Sequence, residues 1–324
     1  MGCCRTRFQN QLAKRAAPEL PRRRGLLTSS ARFSRRTILA CLIVVLAHLA
    51  PAAEPKQITD DGLLKFAPTY THDGAAIVYS VHDVPNRVSL VRLGIEGDKT
   101  FEPMYPDLGV HQFDATFSPD GRFHAFCKSA GSPQMLLVIV DNKQKTEAIF
   151  TPEGARSTAR TPRFMADSSR VVFTLSAPGG QQIVSTDVKG GDLKRLTQTV
   201  GINVWPSVSP DGKQIAFASS RSGHLQLYTM NADGSDVTRL TESSVRDMRP
   251  CWSPDGKRIA FTSMRGGNHE LYTIHRDGSQ LKQITHHPER DDYATWHPDG
   301  RHLLAVSQRE GRHDLWLYDV PESE

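Results

Sequence analysis

An aspartate-centred turn recurs along this chain at nearly constant spacing, and no other feature limits the fold as much. The turns are His72-Asp73-Gly74, Pro119-Asp120-Gly121, Ala166-Asp167-Ser168, Pro210-Asp211-Gly212, Pro254-Asp255-Gly256 and Pro298-Asp299-Gly300, with their aspartates 47, 47, 44, 44 and 44 residues apart. Proline presets φ, aspartate bonds back to the backbone and glycine takes the positive φ that closes a hairpin. Ser168 stands where glycine is expected, so that turn is expected to carry strain on the order of 1 kcal/mol.

Around each turn the pattern is that of strands. Three residues before each aspartate stands an aromatic residue or valine: Tyr70, Phe117, Phe164, Val208, Trp252 and Trp296. After the turn comes a run of β-formers such as Ile215-Ala216-Phe217-Ala218-Ser219, then a third strand (Leu225 to Met230, Leu271 to Ile274, Leu315 to Tyr318). A second turn leads to a short fourth strand ending Arg239-Leu240-Thr241 or Gln283-Ile284-Thr285. Four strands in a unit of this length, with no helical periodicity, define an all-β, six-bladed β-propeller.

The chain ends test that reading. Thr197, Thr241 and Thr285 each precede the next turn aspartate by 14 residues, and Thr59 precedes Asp73 by the same 14. Lys56-Gln57-Ile58-Thr59 is therefore expected to be the missing fourth strand of the last repeat. Its pairing would close the ring and protect the strand edges.

Residues 1–53 read as a signal peptide. Ten of the 40 basic residues and one of the 35 acidic ones precede residue 54, followed by the apolar stretch 38–50 and a small-residue cleavage site near 52/53. The apolar run is too short for a span of roughly 20 residues; the alternative is an uncleaved signal acting as membrane anchor. Ser34-Arg35-Arg36-Thr37-Ile38-Leu39 also resembles a twin-arginine export signal. The remaining 30 basic and 34 acidic residues give 54–324 a net charge of −4, and nothing in them shows the basic face that nucleic-acid binding needs, so no nucleic-acid partner is expected. Cys127 and Cys251 fall in opposite repeats and are expected to stay unpaired.

From Trp252-Ser253-Pro254-Asp255-Gly256-Lys257-Arg258-Ile259-Ala260-Phe261 through Leu271-Tyr272 to Asp277-Gly278, the chain resembles the WD40-like (PD40) repeat of the TolB propeller family, and Ser209 to Thr241 matches it as well. The resemblance implies a periplasmic propeller that acts without catalysis, binding an envelope protein or polymer at its channel mouth. In that family one such partner is a peptidoglycan-associated lipoprotein. The α/β domain that precedes the propeller in TolB is not seen here.

Enzymes on related propellers are the rival class. No G-x-S-x-G, H-E-x-x-H, Walker A or C-x-x-C pattern occurs in 54–324, so neither catalytic residues nor a cofactor are expected. Histidines crowd the last two repeats (His269, His275, His286, His287, His297, His302, His313) and allow, as an alternative, a metal-dependent polysaccharide lyase or hydrolase. They fall at a turn, at strand ends and in a linker, so scattered surface histidines are expected and no metal.

Loops leading into the inner strands converge at a propeller mouth. Six residues before each turn aspartate stand Ala67, Asp114, Thr161, Trp205, Arg249 and Tyr293, each followed by Pro or Ala. Arg163 stands where the other copies carry Thr69, Thr116, Ser207, Cys251 and Thr295. Asp114, Arg163, Trp205, Arg249 and Tyr293 are the candidate binding residues, since equivalent positions that differ in chemistry suit recognition, and Trp, Tyr and Arg favour interface hot spots.

Overall fold

A computed structural model describes residues 54–95, 100–106, 109–131 and 133–321. The expected leader and its cleavage site lie outside these residues. The described residues fall in a single unit, Ala52–Glu324, whose regular elements are all β-strands. Among the described residues no helix is long and apolar enough to cross a membrane.

Each repeat forms an antiparallel meander. The first runs through Lys65–Tyr70, Ala76–Val84, Arg87–Gly94 and Phe101–Pro103, and those built on Asn203–Val208 and Asp247–Trp252 are likewise four-stranded sheets. The meanders that start at Gln112–Phe117 and Thr158–Phe164 merge into one eight-stranded sheet. Their join was not expected: Thr158 pairs in parallel with Met135, whose N–H donates to the Ser157 carbonyl at 3.3 Å.

The inner strands contact one another in order, from Lys65–Tyr70 through Gln112–Phe117, Thr158–Phe164, Asn203–Val208 and Asp247–Trp252 to Asp291–Trp296. The last returns to the first, so the sheets form the ring of a β-propeller. Second strands are sandwiched between sheets, which is why they read as continuous apolar runs instead of alternating ones; Ile215, Ala216, Phe217, Ala218 and Ser219 are all buried. The apolar clusters accordingly span neighbouring repeats, as where Trp252, Ile259 and Phe261 pack with Val204, Ala216 and Leu227.

The end strand closes the ring as expected. Lys56–Gln57 pairs with Arg312–Asp319, with Lys56 opposite Leu317 and Gln57 opposite Trp316. Thr59 then repeats a device of the other copies, in which a threonine hydroxyl accepts a third-strand N–H. Thr197 accepts from Ile183 at 2.9 Å, Thr241 from Leu227 at 3.0 Å, Thr285 from Leu271 at 2.9 Å and Thr59 from Leu315 at 3.0 Å. These threonines lie beyond two-residue fourth strands such as Thr238–Arg239, shorter than expected because the hydroxyl takes over from the ladder. Beside Thr59 the closure buries a cation. Lys65 Nζ meets Asp61, Asp314 at 3.3 Å and the carbonyls of Leu63 and His313.

Gly74, Gly121, Gly212, Gly256 and Gly300 all turn at φ of 67° to 70°, and Ser168 adopts the same left-handed conformation at 59°. The third turn is thus strained and not rebuilt. Both Cys127 and Cys251 are free.

Candidate functional site

Every inner strand is interrupted at the same place. Register shifts fall between Phe66 and Thr69, Phe113 and Thr116, Arg160 and Arg163, Val204 and Ser207, Met248 and Cys251, and Asp292 and Thr295. Within these bulges Ala67, Asp114, Thr161, Trp205, Arg249 and Tyr293 have φ between 44° and 58°. A non-glycine residue there costs on the order of 1 kcal/mol, and the strain is repeated around the ring. The next residue is Pro or Ala, and a proline has no N–H to lose from the interrupted ladder.

A bulge frees an N–H, and side chains of the preceding repeat take several of them. Ser80 Oγ accepts from Asp114 at 3.3 Å, Asp114 Oδ2 from Thr161 at 3.0 Å and Thr174 Oγ1 from Trp205 at 3.2 Å. The bulged residues turn toward the axis and line a single pocket. All five sequence-derived candidates, Asp114, Arg163, Trp205, Arg249 and Tyr293, are in its lining.

The pocket has two chemically distinct sides. On one, the Arg249 guanidinium lies between the Trp205 ring, 4.7 Å away, and the Tyr293 ring, 4.2 Å away, each in cation–π range. Its Nη1 pairs with buried Asp292 at 3.1 Å, and its Nη2 donates to the Tyr293 hydroxyl at 3.3 Å. Asp292 also accepts from Thr262 at 2.7 Å, from the Tyr293 N–H at 2.8 Å and from Arg290. Burial pushes the Asp292 carboxyl up, but Arg249, Arg290 and the Thr262 hydroxyl outweigh it and hold it below the usual carboxylate range.

On the other side Asp114 is buried and accepts from Arg160 Nε at 2.6 Å. Burial raises this carboxyl as well, and the charge and hydrogen bonds of Arg160, with the Thr161 N–H, more than reverse it. Arg160 in turn lies 4.5 Å over the Phe113 ring. Arg163 differs from these: it donates to the Pro162 carbonyl at 2.7 Å and, among the described residues, makes no ion pair within contact distance.

Arg160 and Asp292 escaped the sequence reading. Each stands seven residues before its turn aspartate, where other copies have Phe66, Phe113, Val204 and Met248. A charge in an otherwise apolar column was the available signal. Their pairing with Asp114 and Arg249 crosses between repeats, so it depends on packing that no single repeat displays.

The histidines are less scattered than expected. His297 and His302 come together around Asp299 at the last turn, and His269 lies 3.8 Å from Asp292.

The ring of sheets and the axial pocket define a β-propeller. Residues 114–250 match the TolB beta propeller domain, and residues 226–324 match the Tricorn protease N-terminal beta propeller domain. No curated protein matches the chain in sequence. Among solved structures it is similar to a putative TolB from Agrobacterium tumefaciens, at 23% identity over 80% of this chain and 91% of that one, with a TM-score of 0.62. TolB from Acinetobacter baumannii is 22% identical over 76% of this chain and 60% of its own, with a TM-score of 0.64. An oligogalacturonate lyase from Vibrio parahaemolyticus has the same fold at 16% identity, covering 82% of this chain and 93% of that one, with a TM-score of 0.55.

Proposed function

We propose that this chain is a six-bladed propeller, its eight-stranded sheet counting as two blades, that works as a non-enzymatic scaffold in the periplasm. Its partner is an envelope protein or polymer that presents an anionic group to the axial pocket. The observation that carries this reading is the convergence of bulged residues with different side chains on one pocket. Strained conformations at equivalent places, all aimed at one cavity, are the pattern that binding sites show.

The electrostatics favour an anionic ligand. Asp114 and Asp292 are paired with Arg160, Arg249 and Arg290, while Arg163, whose charge also reaches Asp114, is in no ion pair within contact distance among the described residues and retains free guanidinium donors. A carboxylate entering the pocket would meet that fork, with the Trp205 and Tyr293 rings as apolar flanks. A carboxyl held ionised as firmly as Asp114 suits recognition better than proton transfer, which needs a pKa near the working pH. Export follows from the leader-like residues 1–53, and the likeness to TolB propellers supports the envelope setting.

The test is a photo-crosslinking residue placed at Arg163 or Trp205, with Lys194 on an outer strand as the comparison, in intact cells followed by mass spectrometry. An envelope partner captured from both pocket positions and not from Lys194 is the expected result. No product, or the same products from all three positions, would refute the reading.

A further inference from the structure

The last turn is wired differently from its counterparts. In four of the others a hydroxyl two residues before the aspartate donates to Oδ1 at 2.6 Å: Thr71 to Asp73, Ser118 to Asp120, Ser209 to Asp211 and Ser253 to Asp255. In the last copy that position is His297. Asp299 Oδ1 is already taken by the backbone N–H groups of Arg301, at 2.7 Å, and His302, at 3.2 Å. Its Oδ2 instead faces two ring nitrogens, His297 Nδ1 at 3.0 Å and His302 Nδ1 at 2.6 Å.

A hydroxyl can donate to a carboxylate and accept at the same time, but an imidazole nitrogen does only one. His297 Nδ1 accepts the Asp299 backbone N–H at 3.2 Å, so it carries a lone pair, which a metal ion would take over from that long N–H contact. His302 Nε2 lies 3.0 Å from Asp319 Oδ1, and a proton on that nitrogen leaves Nδ1 bare in the neutral ring. Two ring nitrogens and a carboxylate oxygen, each able to ligate a metal, thus converge, with ligand atoms within 4.8 Å of one another. A proton on His302 Nδ1 can hold this set together as a hydrogen bond, and a metal ion can take that proton's place.

We propose that His297, Asp299 and His302 form a binding site for a divalent late transition ion, of which zinc is the type. Two imidazoles and a carboxylate are a donor set that such ions favour over calcium or magnesium. The surroundings supply further parts of a built site. Asp319 stands where a carboxylate orients the ligating His302 through its other nitrogen, and the Tyr70 ring packs edge-on against His297 at 5.1 Å. The three side chains are each about one-third exposed, so the remaining coordination positions face water. The site shares no residue with the axial pocket and does not rest on the function proposed for it. It would clip together the end of one strand and the start of the next in the repeat that closes the ring.

The test is calorimetric titration of the purified full chain, first stripped with a chelator, using zinc chloride, and cobalt as a coloured substitute. Comparison of the wild type with His297→Ala and His302→Ala separates this site from other thiol or histidine ligands. The expected result is one ion fewer per chain in each variant or an affinity at this site lower by about tenfold or more, and a weaker loss of about tenfold in Asp319→Asn. Unaltered circular dichroism in chelator would show that the variants fold. A His286→Ala, His287→Ala double variant should bind as the wild type does. Zinc binding identical in wild type, His297→Ala and His302→Ala, or lost only in the His286/His287 variant, would overturn the proposal.

Discussion

Along each inner strand the backbone takes a left-handed conformation twice, once in the bulge and once at the turn that ends the strand, and the two places use sequence differently. At the turns the copies agree: aspartate recurs, and glycine supplies φ near 70° in all but one. At the bulges a similar φ is imposed on Ala67, Asp114, Thr161, Trp205, Arg249 and Tyr293, with no glycine among them. The turns spend sequence on conformation, whereas the bulges accept strain and keep the side chain. What differs between copies then points into one pocket, and what repeats holds the ring that surrounds it.

If repeated parts carry stability, the largest loss should follow removal of one of them. Deleting residues 54–60 from the full chain takes away Lys56–Gln57 and the buried Thr59. A fall in melting temperature of roughly 10 °C is expected, corresponding to several kcal/mol in a domain of this size; thermal unfolding checks it, and an unchanged midpoint would contradict the closure. Next comes Asp314→Ala, which strips the buried Lys65 ammonium of its deepest partner. About 3 kcal/mol is expected in chemical denaturation, the low end for a broken buried pair because Asp61 remains.

A bulge residue with a structural duty should sharpen the comparison from the other side. Asp114 has a folded pKa below its unfolded one, so its stabilisation is fully present above the unfolded value of about 4 and is lost as pH falls through the folded value. Asp114→Asn should cost roughly 1–3 kcal/mol at neutral pH and flatten the fall in stability below about pH 4. Arg163→Ala, by contrast, should stay within about 0.5 kcal/mol of the parent. The smallest effect is expected at the odd turn. Ser168→Gly relieves the left-handed strain but gives up the hydroxyl that accepts the Asp120 N–H at 3.4 Å, so it should change stability by less than about 0.5 kcal/mol, while Gly256→Ala, at φ of 67°, should lower it by about 1 kcal/mol.

Much of this was legible because a repeat fixes register. Once the aspartates were aligned, Thr59 fell into the fourth-strand column and Arg163, Trp205, Arg249 and Tyr293 into the columns that line the pocket. The left-handed bulge was not legible, since of its six residues only Asp114 is of a type that takes positive φ at all readily. Arg160 with Asp114 and Arg249 with Asp292 were hidden because each pair joins neighbouring repeats through packing. His297 and His302 looked unrelated along the chain because only the hairpin folds them onto Asp299.

The central claim, that the unrepeated residues bind while the repeated ones support, is tested most directly by a double variant. Arg163→Ala with Trp205→Ala should stay folded with a modestly lowered melting temperature, since Arg163 makes no ion pair in contact among the described residues while the half-buried Trp205 packs against a core cluster and Arg249. Its affinity for the partner identified by crosslinking, measured by surface plasmon resonance, should fall by about tenfold or more, the loss typical of two hot-spot side chains. Undiminished binding by a folded double variant would contradict the account.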